Sequence, residues 1–315
     1  MSGPEVREVE HEITVDASAK AVYQLLVEVE DWPAMFPPSV HVERVEQDGE
    51  HERIRICATA NGAAKSWTSI RRLLPDEGVI RFRQEKSSAP VAGMGGTWIV
   101  EPQGDERCRV RLLHDYRAVD DDPAALKWIA EAVDRNSHAE LAALKTTAEL
   151  GPDAAQKPFT FDDSLQIAGT AAEVFAFIDQ AQLWQERLPH VARVVLEEET
   201  EGLQLLEMDT RSPDGSIHTT KSVRVCQRPA GTIHYKQIKL PALMTLHTGR
   251  WSFTENADGV LAVSRHTVAI NEAKIAEVLG EGAGLAEARA AVRRALGTNS
   301  LSTLNHAKVH VEGRS

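Results

Sequence analysis

The chain has 315 residues, 42% hydrophobic and 26% charged, with a formal net charge of −12 at pH 7. That length suggests two domains of ordinary size, and the composition is that of a soluble globular protein. The acidic excess argues against a nucleic-acid binder, which needs a basic stripe, and no apolar run approaches the ~20 residues that cross a bilayer.

In chain order, MSGPEVREVEHEITV lacks a basic segment followed by an apolar core, so no signal peptide is expected. ITVDASAKAVYQLLVEVEDW then reads as a strand, a small-residue turn and a helix, ending at Trp32. RIRICATA and VIRFRQE alternate as strands do, with turns at QDGE, LPDEG and PQGDE. In SWTSIRRL, Trp67, Ser69 and Arg71 share one strand face, because successive side chains alternate. GMGG, holding Met94, reads as a loop before a strand. PAALKWIAEAVDRNSHAELAALKTTAEL closes the first half as a long helix, with Pro123 in its first turn after Asp120 to Asp122.

The order then repeats. GPDAAQKPF is Pro- and Ala-rich without apolar period and reads as a linker, so the expected domains are 1–150 and 159–315, joined by 151–158. LQIAGTAAEVFAFIDQAQLW ends at Trp184, 152 residues after Trp32. Ser69 and Arg71 meet Ser222 and Arg224, and GTW meets GRW, each 153 residues on. SPDG, RPAG and NADG supply turns. Asn136 meets Asn299, 163 residues on, so the second copy carries about ten extra residues before its last helix. The cysteines Cys57, Cys108 and Cys226 show no paired spacing and read as small buried hydrophobes in a reducing cytoplasm. No phosphate loop, GxGxxG, HExxH or GxSxG occurs, so no cofactor, metal or acyl-enzyme is expected.

Each half is thus an α+β unit: a strand, a short helical region, antiparallel strands and a long C-terminal helix. Such a sheet curls, and the helix that covers it leaves room for a deep apolar cavity. This order resembles the helix-grip fold of the START and birch-pollen-allergen superfamily. Within it, DWPAMFPPSVHVERVE, WTSIRR, GTW and the late Asn136 resemble the aromatase/cyclases of bacterial type II polyketide synthases, and the duplication resembles their di-domain members. The resemblance implies two tandem helix-grip domains and a cytoplasmic enzyme. It implies first-ring closure between carbons seven and twelve, or dehydrative aromatisation, of a poly-β-ketone carried by an acyl carrier protein. The partners implied are the minimal polyketide synthase and, with a reduced substrate, a ketoreductase. No nucleic acid or membrane is expected as partner. The alternative is a START-like lipid or polyketide carrier that encloses its ligand unaltered, because fold does not fix function.

The resemblance puts Trp32, Trp67, Ser69, Arg71 and Asn136 in the pocket. Ser39 stands where relatives often have a tyrosine, with Tyr116 as a substitute acid. Aldol closure builds negative charge on oxygen, which a fixed arginine stabilises in a dry site. Arg71 read alone is an exposed strand arginine; the recurrence of Ser-x-Arg shifts it, and Arg224 with Ser222, toward the pocket. Trp184 repeats Trp32, His247 stands where Met94 does, and Asn299 repeats Asn136. His114 and His266, placed in penultimate strands, show no partner in the sequence. Carrier docking would need a basic patch such as Arg81/Arg83 or Arg289/Arg293/Arg294.

Overall fold

The computed structural model describes residues 6–150, 157–211 and 215–313. The chain divides into two compact units, Met1–Ala154 and Ala155–Ser315. Most of the linker expected at 151–158, and most of the SPDG turn, lie outside the described residues.

The first unit runs β1 (Arg7–Val15), α1 (Ala19–Val27), α2 (Trp32–Met35), β2 (Ser39–Asp48), β3 (His51–Ala60), β4 (Ala63–Leu74), β5 (Val79–Lys86), β6 (Val91–Pro102), β7 (Cys108–Ala118) and α3 (Pro123–Glu149). Its seven strands form one antiparallel sheet, ordered β1-β7-β6-β5-β4-β3-β2. The second unit repeats this as β8 (Phe159–Ile167), α4 (Ala171–Asp179), α5 (Trp184–Arg187), β9 (Val191–Thr200), β10 (Leu203–Arg211), β11 (Ile217–Gln227), β12 (Thr232–Lys239), β13 (Met244–Asn256), β14 (Gly259–Ile270), α6 (Ile275–Leu279) and α7 (Leu285–Glu312). Its sheet order, β8-β14-β13-β12-β11-β10-β9, is the same. The extra residues before its last helix hold α6.

Local chemistry sets the helix ends. Ser18 caps α1 through Ala21 N–H, and Thr170 and Glu173 form a reciprocal capping box on α4. Asp122 accepts from the amides of Ala124 and Ala125, and Pro123 opens α3, where its missing N–H costs nothing. Leu141 and Leu144 of α3 join Val22, Leu26, Ile80, Val100 and Val110 in the main core of the first unit. Leu304, Ala307 and Val311 of α7 do the same in the second. Each long helix thus closes over its sheet.

The matched glycines have a physical reason. A Cβ on Gly96 would lie 2.0 Å from Leu113 O and 2.6 Å from the Phe82 ring, and one on Gly249 would lie 2.2 Å from Arg265 O and 2.5 Å from the Tyr235 hydroxyl. Only hydrogen fits where β6 meets β7, or β13 meets β14, beneath an aromatic side chain. Gly96→Ala is therefore expected to cost ~1–3 kcal/mol in denaturant unfolding; an unchanged midpoint would mean that the strands part freely there.

Candidate active site

In the first unit, every strand from β2 to β7 contributes to one wall of a cavity and α3 supplies the other. The outer part spans about 900 Å³, counting its mouth open to solvent, and is lined by residues that include Ser39, Trp67, Met94, Trp128 and Asn136. The inner part, about 620 Å³, is lined by Ser69, Arg71, Phe82 and Trp98. Trp32, Trp67, Gln84, Met94, His114 and Glu140 border both, so the two are continuous. Trp67, Ser69 and Arg71 do share the inward face of β4, while Ile70 and Arg72, on either side of Arg71, are exposed.

Arg71 is not a free cation. It is 1% exposed, stacks over Trp32 at 5.1 Å and donates to Leu26 O at 2.7 Å. Strand register sets it opposite Glu52, and the two meet as an ion pair at 3.1 Å without the alignment of a hydrogen bond. The other Glu52 oxygen accepts from Arg44 at 2.8 Å. Burial lowers the Arg71 pKa to about 10, against the raising pull of Glu52, so it stays charged at neutral pH. The pair fixes Trp32 in place and presents the cavity with a nearly cancelled charge. Arg71 thus lines the cavity, as expected from the repeated Ser-x-Arg, with Glu52 as a counter-charge that the sequence does not reveal.

The titratable groups best placed for proton transfer are Glu140 and His114. Glu140, on α3, makes no hydrogen bond or ion pair, and burial alone raises its pKa to about 8. His114, on β7, is held down to about 4 by burial, and its Nδ1 has no protein partner. At neutral pH the cavity therefore holds a mostly protonated carboxyl group, about one-tenth of it carboxylate, and an uncharged imidazole, the pairing of environments that acid–base catalysis uses. Sequence reasoning misses Glu140, although it lies one turn beyond Asn136 on the same helix face.

The second unit has a cavity of about 760 Å³ whose lining includes Trp184, Ser222, Arg224, Tyr235, His247, His266 and Asn299. Arg224 stacks over Trp184 at 5.1 Å and donates to Ile178 O at 2.6 Å, repeating Arg71. Its partner differs: Gln204 stands in register opposite, accepting at 2.8 Å and passing hydrogen bonds on to Glu198 and Asp179.

Of the residues singled out in the sequence, Tyr116 lies away from both cavity linings, packed with Ile129 and Val133 in a separate core cluster. Its counterpart by register is Val268, so that position serves packing. Met94 belongs to strand β6 rather than a loop, and its sulfur accepts from Gln84. Asn136 donates to Thr59 O at 3.2 Å, tying α3 to β3, and Asn299 is exposed beside its cavity. His114 and His266 are in the last strand of each unit in chain order rather than the penultimate one, and each of those strands lies second from the edge of its sheet. Arg83 is paired with Asp115 and Arg293 with Asp163, which weakens both expected basic patches. Among the described residues, His11, Asp134 and His138 gather enough ligand atoms for a metal, but their ring nitrogens already bond to Asp134.

Comparison with known proteins places this architecture. Residues 6–149 match the family described as polyketide cyclase / dehydrase and lipid transport. A granaticin polyketide synthase bifunctional cyclase/dehydratase of Streptomyces virginiae is 51% identical over 298 residues, covering 93% of this chain and 96% of that one. The chain belongs to the bifunctional cyclase/dehydratases of polyketide synthases. The actinorhodin polyketide synthase bifunctional cyclase/dehydratase of Streptomyces coelicolor is 44% identical, covering 98% of each chain. Among solved structures, the di-domain ARO/CYC BexL from the BE-7585A biosynthetic pathway superposes with a TM-score of 0.86 at 57% identity, covering 97% of this chain and 99% of that one. StfQ from the steffimycin pathway gives 0.83 at 33% identity. Membership makes the chain an enzyme of the cyclase/dehydratase class, built from two helix-grip units, rather than a passive carrier. No helix is long and apolar enough to cross a membrane among the described residues.

Proposed function

We propose that this enzyme folds a carrier-bound poly-β-ketone in its first cavity, directs aldol closure of the first ring between carbons seven and twelve, and removes water so that the ring aromatises. The observation that carries this reading is Glu140, an unpaired carboxyl group with its pKa at about 8 in an aromatic-lined cavity. Its carboxylate takes a proton from a methylene flanked by two carbonyls, leaving an enolate. The enolate carbon bonds to a distant carbonyl carbon, and the oxygen released from that double bond takes the proton back from Glu140. Uncharged His114 donates a hydrogen bond to a carbonyl oxygen, and Trp32 and Trp67 hold the flat chain between their faces. Ser39, Asn136 and Ser69 offer polar contacts along the chain's path. Subsequent loss of water yields an aromatic ring, which makes the sequence irreversible.

The partners are a polyketide synthase with its acyl carrier protein and, where the substrate is reduced, a ketoreductase. The test is reconstitution of a minimal synthase with and without ketoreductase, followed by product chromatography. Adding the enzyme should collapse the mixture of spontaneous shunt products into one ring pattern in one arm. Identical product profiles with and without enzyme in both arms would sink the reading.

A further inference from the structure

We propose that the second unit holds a separate proton-transfer centre, Tyr235 with His247 and His266 braced by Ser300 and Asp163, which performs the loss of water while ring closure stays in the first unit. The proposal rests on the cyclase/dehydratase reading above and assigns its two halves to different cavities.

The geometry is a continuous chain of contacts from cavity to buried carboxylate. The Tyr235 hydroxyl lies 2.9 Å from His266 Nδ1 and 3.3 Å from His247 Nε2, and the two imidazoles are 3.0 Å apart. His266 Nε2 lies 3.0 Å from Ser300 Oγ and 3.1 Å from Ser264 Oγ. Ser300 has two acceptors for its single proton, Leu296 O at 2.7 Å and Asp163 Oδ2 at 3.2 Å. With that proton drawn away, the serine oxygen accepts the Nε2 proton of His266, so His266 Nδ1 presents its lone pair toward Tyr235 and His247. Asp163 is held by Arg293 at 2.7 Å and lies 4.0 Å from His266 Nε2, placed to stabilise an imidazolium. His247 is 3% exposed, lines the cavity, and has an Nδ1 without any protein partner.

The first unit shows that the fold does not require this network. By strand register, Tyr235 and His247 stand where it has Phe82 and Met94, and Asp163 where it has His11. Its counterparts of His266 and Ser300 are His114 and Ser137, and His11 Nδ1, His114 Nδ1 and Ser137 Oγ are all buried without partners. Conversely, the second unit has Thr303 in place of Glu140 and Thr220 in place of Trp67, so it lacks the carboxyl group and the aromatic wall used for ring closure. The two cavities carry different chemistry on the same frame.

Water loss from a β-hydroxyketone breaks one C–H and one C–O bond and forms one C=C bond. In this centre His247 Nδ1 takes the carbon-bound proton and the Tyr235 hydroxyl gives its proton to the departing oxygen, which leaves as water. The Nε2 proton of His247 then passes to the Tyr235 oxygen, which leaves both groups neutral with His247 in its other tautomer, and proton exchange with water, Nδ1 losing one and Nε2 gaining one, resets it for the next turnover. Burial keeps both histidines uncharged at neutral pH, with pKa values of about 3 for His247 and about 4 for His266, so each carries a lone pair, of lowered basicity, on one ring nitrogen.

The test uses the full chain in the reconstituted synthase, with products separated by ring pattern and by mass. Tyr235→Phe and His247→Met install the residues that the first unit carries at these places, so both should fold. Each is expected to lower the ratio of aromatised to hydrated product ~100-fold or more, with the hydrated species one water heavier, and Tyr235→Phe should keep the ring pattern. Asp163→Asn, a positioning change, should lower kcat for water loss on purified carrier-bound substrate at unchanged KM. Unaltered water loss in Tyr235→Phe and His247→Met, or loss of ring pattern together with water loss, would overturn the assignment. A wild-type enzyme that alters neither ring pattern nor water loss would instead overturn the underlying reading.

Discussion

Glu140→Gln is expected to abolish ring direction: in the reconstituted synthase the single ring pattern should revert to the shunt mixture, with the cyclisation rate falling ~10²–10⁴-fold, the range for loss of a positioned acid–base group. The fold should survive, because glutamine keeps the shape and removes a half-buried ionisable group that has no partner. The sign of the pH effect separates this from a structural lesion. The folded state binds a proton on Glu140 up to about pH 8, whereas the unfolded chain releases it near 4.5. Between those values the folded state holds more protons, so stability falls as pH rises across that window. Thermal unfolding of the wild type should lose melting temperature from pH 5 to 8, and Glu140→Gln should flatten that dependence and melt higher at pH 8. Cyclisation by the wild type should rise with pH through the same range, as the carboxylate form appears. A variant that still directs the ring would move the base elsewhere, with His114 next in line.

The duplication, the cap on α3 and the inward face of β4 are legible in the sequence because each depends on local spacing. Alternation alone decides that Trp67, Ser69 and Arg71 point together, and Asp122-Pro123 announces a helix start wherever it occurs. What the sequence hides depends on pairing across distance. Glu52 becomes the partner of Arg71 only once β3 and β4 are in register, and nothing in HERIRI distinguishes it from a surface glutamate. Glu140 reads as one more polar residue on a long helix. The stripe Ile129, Val133, Asn136 and Glu140 lines a cavity rather than the outer face of the helix, and polarity cannot separate those cases. Tyr235, His266 and Asp163 come from three strands and meet only in the folded unit. Tyr116 misleads for the opposite reason: a tyrosine beside a pocket strand suggests use of its hydroxyl, whereas its ring fills a core cluster.

The Glu52–Arg71 pair produces the second large effect, and it changes how the most obvious mutation is interpreted. Arg71→Ala should cost ~3–5 kcal/mol of unfolding free energy, the range for breaking a buried ion pair from one side, because Glu52 is left buried with only half-buried Arg44 to answer it. Glu52→Gln should cost a comparable amount, since it leaves Arg71 without a counter-charge. The second unit tolerates glutamine there because Gln204 relays hydrogen bonds from Arg224 to Asp179 and Glu198. In the first unit the ion-paired or hydrogen-bonded partner of Glu52 beyond Arg71 is another arginine. Loss of activity in Arg71→Ala is therefore expected on grounds of stability alone and does not identify a catalytic group. The informative protein is the double variant Glu52→Leu/Arg71→Met, which replaces the pair by apolar side chains and should recover most of the lost stability in denaturant unfolding. If it also directs ring closure, the arginine serves to hold Trp32 and the floor of the cavity. If it folds as well as wild type but leaves the shunt mixture unchanged, Arg71 acts on the developing oxyanion despite its partner, and the role of Glu140 shrinks to proton transfer alone.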